Sequence, residues 1–132
     1  MNEAVIFLID EDNDSRPFLR HNLKKQGYNI ALAIDEEDAS ERVSRQCLRA
    51  DLILMNFVSK SPESVLDIGR DIRRKGKLNA PVVVIAQKFG EDLEGKDVRV
   101  SENDYITYLE DGEQLQELLS RLVPVQTQNE KV

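Results

Sequence analysis

Four short runs in this chain are almost continuously apolar and rich in β-branched residues: VIFLI (Val5 to Ile9), LILM (Leu52 to Met55), VVVIA (Val82 to Ala86) and YITYL (Tyr105 to Leu109). A strand with one solvated face alternates apolar and polar residues, so unbroken runs of this length predict parallel strands covered on both faces. A fifth run, YNIALAI (Tyr28 to Ile34), is more mixed, as a strand at the sheet edge would be. Amphipathic segments with recognisable ends separate the runs. The first extends from about Asp14 or Ser15 to Gln26, tolerates Pro17 in its first turn and stops before Gly27. The second starts at Asp35 and turns Ala39, Val43 and Cys47 inward. In the third, Ser61 caps, Pro62 takes the first helical position, and Val65, Ile68, Gly69 and Ile72 share a face up to Gly76. The last opens on Asp111 with Gln114 three residues on, carries the stripe Leu115, Leu118, Leu119 and Leu122, and ends at Pro124.

One connection differs. KFGEDLEGKDVRVSEN (Lys88 to Asn103) holds two glycines and five acids around only four large apolar residues, so a helix there would be short or poorly formed. Alternating strands and helices predict a βαβ chain, a parallel sheet between helix layers, in which functional residues collect at the carboxyl ends of the strands. With 132 residues the chain suits one domain, spanning residues 1–123, followed by a polar tail over 124–132. The formal charge of −7 disfavours nucleic acid as a direct partner, and no apolar run reaches the length of a membrane span. A cytoplasmic location is expected. Cys47 is the single cysteine, which excludes an intramolecular disulfide and suits a buried thiol.

The carboxyl edge is where chemistry would reside. DEDNDS follows the first run and would repel a phosphate, which excludes a simple nucleotide or flavin site. Clustered acids suit a divalent cation better. Asp12 and Asp14 fit a helix start, where acids are favoured by the dipole, whereas Asp10 and Glu11 precede the helix and point to a site. Asn56 ends the third of these strands, Ala86 the fourth, and Tyr108 lies at the end of the fifth.

FLIDED, DLILMN, APVVVIA and NDYITYL, in this order, resemble the motif strands of the receiver domain of two-component response regulators. The intervals of 45, 30 and 22 residues between Glu11, Asn56, Ala86 and Tyr108 agree with that family, and the resemblance covers about Glu3 to Val123. It implies a flavodoxin-like (βα)5 fold with a five-stranded parallel sheet in the order 2-1-3-4-5. It also implies a mechanism in which an aspartate ending the third strand takes a phosphoryl group from a histidine kinase. Mg²⁺ is then held by that aspartate and an acidic pair, and a hydroxyl after the fourth strand and a lysine after the fifth bind the phosphoryl oxygens.

Carried over residue by residue, the resemblance assigns the phosphoacceptor position to Asn56, the acidic pair to Asp10 and Glu11, the hydroxyl position to Ala86 and the lysine position to Tyr108. An amide oxygen is a poor nucleophile, alanine has no donor, and a neutral phenol cannot offset a phosphate dianion. Three losses at three places make the expected protein a natural pseudo-receiver rather than an enzyme: a stand-alone, phosphorylation-independent interaction module in signal transduction. Tyr105 matches the family's rotating aromatic, a role that ordinary packing on a half-buried strand explains equally well. Metal affinity should be weaker than in a competent receiver, leaving at most weak Mg²⁺. The implied partner is a protein, or a second copy of the chain, on the face formed by the fourth helix, fifth strand and fifth helix. Two other readings are a residual phosphoryl acceptor at Asp10 or Glu11 and a divalent-cation sensor. His21 lacks companions for a metal site, and the basic stretch RDIRRKGK (Arg70 to Lys77) is first of all a solvated helix end.

Overall fold

The computed structural model describes residues 4–45 and 48–124. Cys47 and the tail from residue 125 lie outside them. Strands β1 (Val5–Asp10), β2 (Asn29–Ala33), β3 (Leu52–Asn56), β4 (Val82–Ile85), β5 (Asp97–Ser101) and β6 (Asp104–Thr107) alternate with helices α1 (Arg16–Lys25), α2 (Glu36–Arg45), α3 (Pro62–Lys75) and α4 (Gly112–Leu122). They form one sheet in the order β2-β1-β3-β4-β6-β5. The first five strands in that order are parallel, and β5 is antiparallel to β6.

The apolar runs behave as their composition predicts. Leu52 to Met55 and Val82 to Val84 have no exposed surface because both sheet faces are covered. On one face α2 and α3 bring Val43, Val65, Leu66 and Ile72 against Phe7, Ile9, Ile53 and Val84. On the other, α1 and α4 bring Leu23, Leu115, Leu118 and Leu119 against Ile6, Leu8, Leu54 and Val83. Gly69 sets how closely α3 approaches the sheet, since a Cβ there would meet Met55 Sδ and Val82 Cγ1 at 2.6 Å. Helix starts follow the sequence signals: Ser61 Oγ accepts from Ser64 N (3.2 Å), Asp35 Oδ1 from Asp38 N (2.8 Å), and Asp111 Oδ1 from Gln114 N (3.0 Å). Ser15, at the start of α1, has helical backbone angles and makes no side-chain cap, which frees its hydroxyl for another task.

The connection between β4 and β6 corrects the sequence-based topology. Six strands form the sheet where five were expected, and no helix forms between residues 86 and 103. Turns close Gly90 to Lys96 through Leu93 N to Gly90 O (3.0 Å) and Lys96 N to Leu93 O (3.0 Å). Gly95, at a φ of +84°, redirects the chain into β5. The chain then runs down the outer edge as β5 and returns as β6 beside β4. Phe89 and Leu93 pack onto the core of the α2/α3 face. The physical reason is period: Asp97-Val98-Arg99-Val100-Ser101 alternates charged or polar with apolar side chains, a strand pattern, while Gly90 and Gly95 penalise a helix.

Candidate functional site

Sheet register assembles the site. Asp10 on β1 lies opposite Asn56 on β3, Asn56 opposite Ile85 on β4, and Ile85 opposite Thr107 on β6. The carboxyl ends of four strands therefore meet at one level. Asp10 has no exposed surface and Asn56 is 4 % exposed, so each polar group needs a partner within the protein.

Both find them. Asn56 Nδ2 donates to Asp10 Oδ2 (3.3 Å) and to Ser15 Oγ (3.0 Å), and Ser15 Oγ donates to Asp10 Oδ2 (3.3 Å). Asp12 N donates to Asp10 Oδ1 (2.9 Å). The amide oxygen of Asn56 accepts from Gln87 Nε2. Burial pushes the Asp10 carboxyl above its ordinary value, and the bonds from Asp12 N, Asn56 and Ser15 only partly offset that. Arg16 brings no countercharge to the carboxylate, because Nη1 donates to the Asp10 carbonyl (2.8 Å) and Nη2 to Asn13 Oδ1 (2.5 Å).

The expected acidic pair is split. Glu11 Oε1 accepts from Val58 N (3.0 Å) and Ser59 Oγ (3.3 Å), tying the β1–α1 connection to the loop after β3 rather than facing the Asp10 pocket. A divalent cation does not fit this donor set: Asp10 Oδ2 already takes two donors, Asn56 Oδ1 is occupied by Gln87, and Glu11 is engaged elsewhere. Among the described residues no group of three His, Cys, Asp or Glu side chains could hold a metal.

Ala86 is buried and offers only its backbone, with N bonded to Thr107 O (3.0 Å). Tyr108 is 8 % exposed and packs edge-to-face on Phe89, ring centroids 5.4 Å apart at 82°. Burial, then the charge of Glu63, raises its phenol above the ordinary value, so it is neutral at pH 7. Tyr105 packs against the core of the α1/α4 face. A cavity of about 420 Å³ opens over Asn56, bounded by Ser15, Phe18, Leu19, Ala86, Gln87, Phe89 and Leu109. Its wall is amide, hydroxyl and hydrocarbon, and Phe18 on its rim is 73 % exposed.

Sequence reasoning placed Asp10, Asn56, Ala86, Gln87 and Tyr108 at this edge, and missed that Ser15 and Gln87 close the hydrogen bonds around the Asn56 amide. A hydroxyl at the helix start and an amide directly after Ala86 were the available signals. The basic stretch on α3 is satisfied by nearby acids: Arg70 and Arg73 pair with Asp104 (2.9 and 3.0 Å), Arg74 with Asp71, and Lys75 with Asp71 (3.4 Å).

No family profile matches the sequence. Solved structures do. The Vibrio cholerae chemotaxis protein CheY4 is 16 % identical with a TM-score of 0.65, covering 92 % of this chain and 100 % of its own. The receiver domain of a Pseudomonas aeruginosa sensor histidine kinase, with a magnesium ion in its active-site cleft, is 23 % identical with a TM-score of 0.63 over 92 % and 98 %. The Thermotoga maritima response regulator TrrA, bound to Mg²⁺-BeF, is 20 % identical with a TM-score of 0.65 over 91 % and 99 %, and TrrA is also known in complex with the histidine kinase ThkA. The chain has the α/β, flavodoxin-like fold of response-regulator receiver domains, with an antiparallel edge strand added beyond β6.

Proposed function

We propose that this chain is a receiver-fold protein-interaction module of two-component signalling that works without accepting a phosphoryl group. The carrying observation is the Asn56 amide. It donates to Asp10 and Ser15 and accepts from Gln87, so the site is satisfied internally with neither cation nor phosphoryl group. An aspartate in that place would set two carboxylates side by side in a buried pocket, an arrangement that calls for a cation. Asparagine supplies the bridging donors itself. Ala86 and Tyr108 complete the reading, since neither presents a donor or a cation to a phosphoryl oxygen over Asn56.

The partner is a protein. The kinase complex of TrrA supports this, as does the acidic net charge of the chain. In place of a fourth helix, the surface beside α4 is built from the β5–β6 hairpin, which would select a different partner shape.

Incubation with acetyl phosphate and Mg²⁺, read by intact mass, tests the proposal. The expected outcome is no gain of a phosphoryl group and no shift in melting temperature with beryllofluoride. A phosphoryl adduct mapped to Asp10 or Glu11 would overturn it in favour of residual acceptance at the acidic residues.

A further inference from the structure

The sheet ends in β5, and among the described residues no strand lies beyond it. Lys96 O accepts from Tyr108 N (2.8 Å), so by the alternation of an antiparallel ladder Lys96 and Val98 turn their backbone groups toward β6. Asp97 and Arg99 then turn theirs outward, where they can pair with another strand. Val98 faces the same side as its partner Ile106 and is 37 % exposed, and Val100 is 45 % exposed.

We propose that this edge binds a second copy of the chain, β5 against β5 in antiparallel orientation with Val98 on the two-fold axis. In that register each Asp97 lies opposite Arg99 of the other copy in a hydrogen-bonded pair. The two Val98 side chains meet in the closer, non-hydrogen-bonded position. Charge complementarity selects this occupant. The chain as a whole carries −7, so copies repel, yet Lys96 to Glu102 holds two cations and two anions and is neutral. Asp97 already accepts from Thr107 Oγ1 (2.7 Å), Gln114 Nε2 (2.9 Å) and Arg121 Nη2 (3.2 Å), so Arg99 of the other copy shares a carboxylate that these groups hold. Two features keep the ladder short: the bulge between Arg99 and Ser101, and the bond of Arg99 Nη2 to Glu102 O (2.9 Å), which must open or be shared. The association is accordingly weak and concentration-dependent.

Sedimentation of the full chain over a concentration series tests the proposal. A monomer–dimer equilibrium is expected, and Val98→Asp and Arg99→Glu should each weaken it roughly tenfold or more, because both act twice across the axis. Both positions are exposed strand sites, and circular dichroism checks that the variants fold. In a Cys47→Ser background, Val98→Cys should form a disulfide-linked dimer under mild oxidation. Val100→Cys should not, because the axis holds its two copies too far apart. A chain that stays monomeric throughout, or a dimer indifferent to Val98→Asp and Arg99→Glu, overturns the proposal.

Discussion

At the scale of single residues the protein turns on one amide. Asn56 and Asp10 are both buried, and a carboxylate at position 56 would be a like charge beside the first. Asn56→Asp should therefore lose about 2 kcal/mol of stability in the absence of divalent metal, as the two acids push each other's pKa upward. Millimolar Mg²⁺ should restore part of that loss in the variant while leaving the wild type unchanged. Thermal melts with Mg²⁺ and with chelator check both halves. Asp10 supplies a second expectation. Its folded-state pKa is raised, so on acidification the folded state takes up the proton before the unfolded state does. Wild type should gain stability relative to Asp10→Asn as pH falls through the raised pKa, down to the ordinary carboxylate value. The reverse slope in paired denaturation curves would contradict this assignment.

At the scale of elements, the β5–β6 hairpin replaces a helix and needs its own fastening. One end is held by Asp97, bonded to Thr107, Gln114 and Arg121. The other is held by Asp104, 3 % exposed, which pairs with Arg70 and Arg73 of α3 and accepts from Ser101. Burial alone would push the Asp104 carboxyl up; the Ser101 hydroxyl and the two guanidinium groups outweigh it and hold the carboxyl below its ordinary value. Asp104→Ala should cost about 2 kcal/mol at neutral pH, less than a fully buried pair because Arg70 retains solvent. The wild-type advantage should fade as pH falls through the lowered pKa, since protonation removes the charge that the arginines hold. Urea titrations at neutral and acid pH read both effects. The hairpin was partly legible in the sequence: Asp97 to Ser101 alternates with period two, while the glycines and acids around it gave only the weaker signal of a poor helix.

At the scale of the whole molecule, the almost continuously apolar, β-branched runs suited strands covered on both sides, and they became β1, β3, β4 and β6. Caps and stops at Ser61, Asp111 and Gly76 gave the helix ends to within a residue or so, because local backbone groups are satisfied locally. The level at which Asp10, Asn56, Ala86 and Tyr108 meet was readable too, since parallel strands bring their carboxyl ends to one edge. Charge acted at this scale as well. The basic stretch that begins at Arg70 reads in the sequence as a solvated helix end, and folding sets Asp67, Asp71 and Asp104 against Arg70, Arg73, Arg74 and Lys75.

Outside residues 88–103 the sequence by itself determined the order of strands and helices, the apolar faces and the residues delivered to the carboxyl edge, because these depend on periodicity and on contacts a few residues apart. Only the tertiary structure decided where the side chains of Asp10 and Glu11 went, one into the buried amide network and the other across to Val58. It alone decided that β5 lies outside β6 and leaves the last edge open. Those outcomes depend on groups 46 to 48 residues apart along the chain competing for the same hydrogen bonds, and on which strand fills the last place in the sheet. No local pattern encodes either choice.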